Sequence, residues 1–91
     1  MLNTMIVVKL KKTNYTEWKK FFDGNAEMRA KFMRDAFVGK VDENTAIVTA
    51  EIFDPEGMKQ AFSDPEMEKR LEEMGVERTM YMLQPAPVPG S

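Results

Sequence analysis

Apolar residues recur with two different periods along the chain, and their order predicts an architecture. Between Thr4 and Lys11, Ile6, Val8 and Leu10 alternate with Met5, Val7 and Lys9. That is the period-two pattern of a strand, and with both sets largely apolar it suits a central strand covered on both faces. From Tyr15 to Arg34 the period changes. Trp18, Phe21, Phe22, Asn25, Met28, Arg29 and Phe32 recur at three- and four-residue spacing, which makes one broad helical stripe broken by two polar residues. Asn14 stands where an N-cap belongs, and Glu17 completes a capping box. Gly24 lies inside the stripe and marks a kink or a point of close packing.

Period two returns for a strand over Ala36–Val41 and another over Thr45–Phe53. Asp42-Glu43-Asn44 joins them as a tight turn, with Asn44 suited to a left-handed conformation. Asp54-Pro55-Glu56 and Asp64-Pro65-Glu66 each read as an N-cap, a proline at the first helical position and an acid in the first turn. They predict short helices over Pro55–Phe62 and Pro65–Met74, the second ending at Gly75. A last strand covers Glu77–Leu83. The tail at 85–91 is proline-rich and is expected to be extended and flexible.

The order βαββαβ is the ferredoxin-like split βαβ arrangement. It predicts an α+β domain over residues 1–84, with a four-stranded antiparallel sheet and the helices on one face. Right-handed crossovers make the first and third strands central. Met5, Val7 and Lys9 then share the uncovered face with Ile47, Thr49, Glu51 and Phe53. That face is too apolar to remain wet, and a second copy is the simplest cover. The expected assembly is a homodimer whose two sheets pack face to face as an α+β barrel.

Composition narrows the chemistry. The 91 residues contain no His and no Cys, so a Ser-His-Asp triad, a thiolate nucleophile and an ordinary zinc site are excluded. The five glycines stand singly and build no phosphate-cradling loop. A chain this short buries only roughly 60–70% of its unfolded surface, a second reason to expect self-association. Residues 1–46 carry nine Lys/Arg against six Asp/Glu, and residues 47–91 carry four against nine. The net charge of −2 and the lack of an aromatic RNP-like run argue against nucleic acid as a partner. The apolar run Met5–Val8 is too short for a signal core or a membrane span, so a cytoplasmic protein that does not contact membranes is expected. The nine methionines either fill core gaps or line an adaptable binding surface.

The run Asn14-Tyr15-Thr16-Glu17-Trp18-Lys19-Lys20-Phe21-Phe22-Asp23 resembles the first helix of the dimeric α+β barrel proteins. The hairpin at Asp42-Glu43-Asn44, the segment Glu51-Ile52-Phe53-Asp54 and the step Phe62-Ser63-Asp64-Pro65-Glu66 resemble them too. The likeness spans about residues 4–84 and is greatest to small bacterial members of unknown function related to antibiotic-biosynthesis monooxygenases. It implies a dimer, no metal and no flavin, and a cleft between helix and sheet in which Trp, Asn, Tyr and Arg place and polarise an electron-rich phenol. The haem-binding relatives use a pocket His, which this chain lacks.

The matching residue types are Trp18, Asn25, Arg29 and Tyr81. Each also has a plain structural reading: Trp18 as a packed core aromatic, Asn25 as a cap, Arg29 as a snorkelling side chain and Tyr81 as a strand former. Lys9 and Glu51 interrupt apolar central strands on one face. They read as a buried ion pair setting dimer register, or Glu51 alone reads as a desolvated base. Two function classes follow. One is a non-catalytic or small-molecule-binding homodimer, with a small apolar or aromatic ligand. The other is a cofactor-independent monooxygenase-like enzyme acting on a small aromatic or enolisable substrate.

Overall fold

A computed structural model describes residues 2–84, so the expected tail at 85–91 lies outside the described residues. The order is β1 (Thr4–Leu10), α1 (Tyr15–Gly24), α2 (Ala26–Arg29), β2 (Met33–Asp42), β3 (Thr45–Ile52), α3 (Pro55–Phe62), α4 (Pro65–Met74) and β4 (Val76–Met82). The sheet runs β2-β3-β1-β4 with every neighbouring pair antiparallel. This is the ferredoxin-like fold, with β1 and β3 central as their two-sided apolar pattern requires.

Capping fixes the helix starts where the sequence places them. The Asn14 side chain accepts from the Glu17 N–H at 2.9 Å, Asp54 from Gly57 at 3.0 Å and Asp64 from Met67 at 3.2 Å. Glu17 does not close the box; its carboxylate meets Lys20 at 3.3 Å. Gly75 ends α4 in the left-handed region at φ 64°. A Cβ there would lie 2.8 Å from the Lys12 backbone nitrogen, where the β1–α1 loop is tied to α4 by hydrogen bonds from Lys11 to Gly75 and from Lys12 to Met74.

Three local expectations are corrected. The first helix does not run to Arg34: it breaks at Gly24–Asn25, ends at Arg29 and gives way to strand from Met33. A Cβ on Gly24 would meet nothing within 4 Å, so this glycine marks a break rather than a close contact. Phe32, the last residue of the stripe, is instead buried in the turn and meets Phe62 edge-on at 5.9 Å. Asn44 is not left-handed. Its N–H donates to the Asp42 carboxylate at 2.8 Å, and its side-chain amide donates to Thr13 O at 3.1 Å, pinning the hairpin to the β1–α1 loop.

The third correction concerns β2, which begins at Met33 rather than Ala36. Asp35 adopts φ 55°, and the β2–β3 register slips between Arg34 and Phe37. Arg34 stands opposite Glu51 and Phe37 opposite Thr49, so three steps on β2 match two on β3. Such a bulge re-aims side chains, and this one brings Arg34 and Phe37 to the same face of the sheet.

The helix-facing side of β1 and β3 is buried at Thr4, Ile6, Val8, Leu10, Ala46, Val48, Ala50 and Ile52. Two clusters form there, one around Trp18 and one around Phe32 and Met33. Asn3 closes the sheet end. Its side-chain amide donates to Ile52 O at 3.0 Å, and its side-chain oxygen accepts from the Ile52 N–H at 2.9 Å. Asn3→Ala would leave both backbone groups unpaired and is expected to cost about 1–3 kcal/mol, read from the urea midpoint. An unchanged midpoint would mean that water replaces both bonds.

The opposite face of the sheet has no helix. Phe37, Thr49, Met5 and Tyr81 form one row across all four strands, and Gly39, Ile47, Val7 and Thr79 form the next. Phe37 is 66% exposed and Tyr81 48%.

Candidate functional site

Helices and sheet do not close completely on one another. A cavity of about 60 Å³ lies between them and touches members of both core clusters. Ile6, Val8 and Val48 line it from the sheet, Trp18, Phe22 and Met28 from α1 and α2, and Phe62, Met67 and Leu71 from α3 and α4. The sole tryptophan holds its position by packing, with its ring 5.1 Å from Phe22 and 6.0 Å from Tyr15. The volume is small beside the roughly 300–1,000 Å³ of ordinary ligand pockets. Met28, Met33 and Met67 are on the wall, however, and unbranched thioether side chains can repack around a guest.

Three polar side chains line this cavity: Asn25, Arg29 and Arg78. The helix break explains the first two. A helix end leaves its last carbonyls without partners, and here the Asn25 amide donates to Phe21 O at 2.8 Å. Arg29 donates to Phe22 O through Nε at 3.2 Å and Nη2 at 3.0 Å, with its guanidinium stacked 3.6 Å from the Phe22 ring centroid. Burial pushes the Arg29 guanidinium below its ordinary value, and the Asp23 charge opposes that shift. Both side chains therefore cap the break while they line the cavity.

Arg78 differs. It projects from the helix-facing side of β4, opposite Val8, and its guanidinium carbon lies 4.1 Å from the Phe62 ring centroid. Burial lowers its pKa. Among the described residues no carboxylate pairs with it and no acceptor takes its hydrogen bonds. It also lines an outer groove with Met58, Lys59, Phe62, Ser63, Val76 and Met80, so it stands where the cavity meets that groove. Arg78 is not among the residues that the helical stripe or the central strands single out. Its signal was period two on β4, which puts position 78 on the side of Val76.

The structure brings Trp18, Asn25 and Arg29 together and keeps the other candidates apart from them. Tyr81 is opposite Met5 on the uncovered face and does not reach the cavity. Lys9 and Glu51 share that face but form no ion pair. Lys9 stands opposite Thr45 and Glu77, whereas the register carries Glu51 past the Thr4–Ala50 pair. They are six strand positions apart, roughly 20 Å at about 3.3 Å per residue. Glu51 is paired with Arg34, which also stacks 4.8 Å from the Phe53 ring centroid. A paired carboxylate is not a desolvated base. The cavity lining contains neither an acid nor a phenol. Among the described residues no three His, Cys, Asp or Glu side chains gather as a metal site, and no helix is long and apolar enough to cross a membrane.

No family model and no curated protein matches the chain. Solved structures do. SnoaB, a cofactor-independent oxygenase from Streptomyces nogalater, matches over 100% of both chains with TM-score 0.59 and 11% identity. A Deinococcus radiodurans protein assigned to the antibiotic biosynthesis monooxygenases matches over 97% of both chains with TM-score 0.58 and 11% identity. At this identity the likeness is one of fold: over the described residues the chain shares the ferredoxin-like α+β architecture of these proteins.

Proposed function

We propose that the protein is a cytoplasmic bacterial homodimer that binds a small apolar or aromatic molecule in the cavity between its helices and its sheet. The observation that carries this reading is the cavity itself: an apolar space walled by Trp18, Phe22 and three methionines at the join of two core clusters. A protein of this size loses packing energy by leaving such a gap, and a guest would restore it. The uncovered apolar rows supply the dimer surface. A thermal-shift screen with phenols, quinones and fatty acids tests the ligand part. A compound that fills the cavity at a hundred times its Kd is expected to stabilise the protein by about 2.7 kcal/mol. No shift with any of the three classes would defeat the reading.

A second reading is favoured by the fold match to an oxygenase that uses no cofactor. Under it, the chain catalyses a cofactor-independent monooxygenation of a small aromatic or enolisable substrate, in which O2 gives one atom to the substrate and the other leaves as water, with both electrons drawn from the substrate. Asn25 and Arg29 would polarise the substrate oxygen beside Trp18. With no carboxylate or phenol on the wall, the substrate must be acidic enough to ionise without a neighbouring side-chain base. Oxygen uptake with hydroquinones, measured for the parent and for Arg29→Met, tests it. Uptake no faster than in buffer sinks the enzyme reading and leaves the binding one intact.

A further inference from the structure

We infer that the ligand is an amphipathic anion, with its ring or chain in the apolar cavity and a carboxylate or phenolate on the guanidinium of Arg78. This rests on the cavity being a ligand site, and it names the class of ligand.

The case begins with an imbalance. A guanidinium brings five N–H donors and a fixed charge, and partly buried arginines ordinarily meet an acid or a carbonyl. Arg29 follows that rule, spending Nε and Nη2 on Phe22 O. Arg78 meets no acceptor among the described residues, although burial lowers its pKa and its guanidinium lies over an aromatic face. The free donors stand at the cavity mouth, whose lining carries no negative charge. Lys59 adds a second cation on the adjoining groove. A planar anion accepting two parallel bonds is the partner that a guanidinium fork fits best. The space behind it is walled by Trp18, Phe62 and methionines, so the rest of the ligand must be apolar. A neutral hydrocarbon would leave the guanidinium to water alone, and a compact inorganic anion would leave the cavity empty.

Two probe pairs separate charge from shape: benzoate against benzamide, and 2-naphthoate against 2-naphthamide. Calorimetry gives each affinity, and the NMR signal of the Trp18 indole shows whether the probe has entered the cavity. In the parent chain the carboxylate is expected to bind about tenfold tighter than its amide, or better, as suits a charge-assisted pair. In Arg78→Met that preference should shrink to less than about twofold, with the amide affinity unchanged. Arg78→Lys should keep part of it. Arg78 stands on an edge strand and belongs to neither core cluster, so both variants are expected to fold. Equal binding of acid and amide by the parent would overturn the anion and leave the cavity reading standing. A preference that survives in Arg78→Met would overturn the assignment to this residue. If neither member of either pair binds, the cavity reading falls and takes this inference with it.

Discussion

Ile47→Asp is expected to sediment as a 10.5 kDa monomer at low micromolar concentration, where the parent chain is expected to sediment as the proposed dimer. Ile47 lies on β3 between Gly39 and Val7, in the middle of the face that carries no helix. The rows Gly39-Ile47-Val7-Thr79 and Phe37-Thr49-Met5-Tyr81 carry no charge, and they are most apolar where Ile47, Val7, Met5 and Phe37 stand. Charged groups bound it at both ends, with Lys9 beside Glu77 at one and the Arg34–Glu51 pair at the other. An apolar centre inside a charged rim is the anatomy of a protein interface. Two copies related by a two-fold axis would cover each other's rows, and one aspartate per chain would put two carboxylates into the dry centre. Burying an unpaired charge costs several kcal/mol, enough to dissociate a pair held mainly by apolar contact. Phe37→Glu is the companion variant. Phe37 is mostly exposed on an edge strand, so a charge there costs the lone chain little and still enters the interface. A parent chain that sediments only as monomer would remove the dimer altogether.

The elements were legible because each is written locally. Asn14, Asp54, Asp64 and Gly75 cap helices through their own side chain or backbone conformation, and strand alternation needs no knowledge of the partner. What failed was non-local. The helical spacing continues through Phe32, but the chain turns after Arg29 because Phe32 is buried beside Phe62, thirty positions on. The bulge at Asp35 sits in an ordinary-looking strand, and it decides that Phe37 joins the uncovered face. Lys9 and Glu51 fell on one face as their parity requires, but parity carries no register, so their pairing could not be read. The same gap hid the site. Trp18, Asn25 and Arg29 stood out as one helical side, whereas Arg78 reaches them only through the β1–β4 pairing. Their roles also changed: Asn25 and Arg29 spend donors on the carbonyls freed by the helix break, a need that does not arise in an unbroken helix.

Trp18→Ala is expected to destabilise the fold by about 3–5 kcal/mol, the range for removing a large aromatic from a core. Trp18 is 4% exposed and belongs to the cluster of Ile6, Val8, Leu10, Ala46 and Val48. Its ring also walls the existing cavity, so truncation merges the space it leaves with a gap already present. Neighbours that have not closed the first gap are poorly placed to close a larger one, which puts the cost toward the upper end. Against a total of about 5–15 kcal/mol for a domain, such a loss leaves the chain near its folding limit. Trp18→Phe keeps most of the ring contact with Phe22 and Tyr15 and is expected to recover more than half of the loss. Urea unfolding followed by far-UV circular dichroism measures both, since the variants lack the fluorophore. Benzene offers a further check. An enlarged apolar space takes up such a guest, so benzene should raise the Trp18→Ala midpoint by more than it raises the parent midpoint. If Trp18→Ala loses less than about 0.5 kcal/mol, the usual range of a surface change, the tryptophan is not a keystone of the core. Its burial would then serve the ligand rather than the fold.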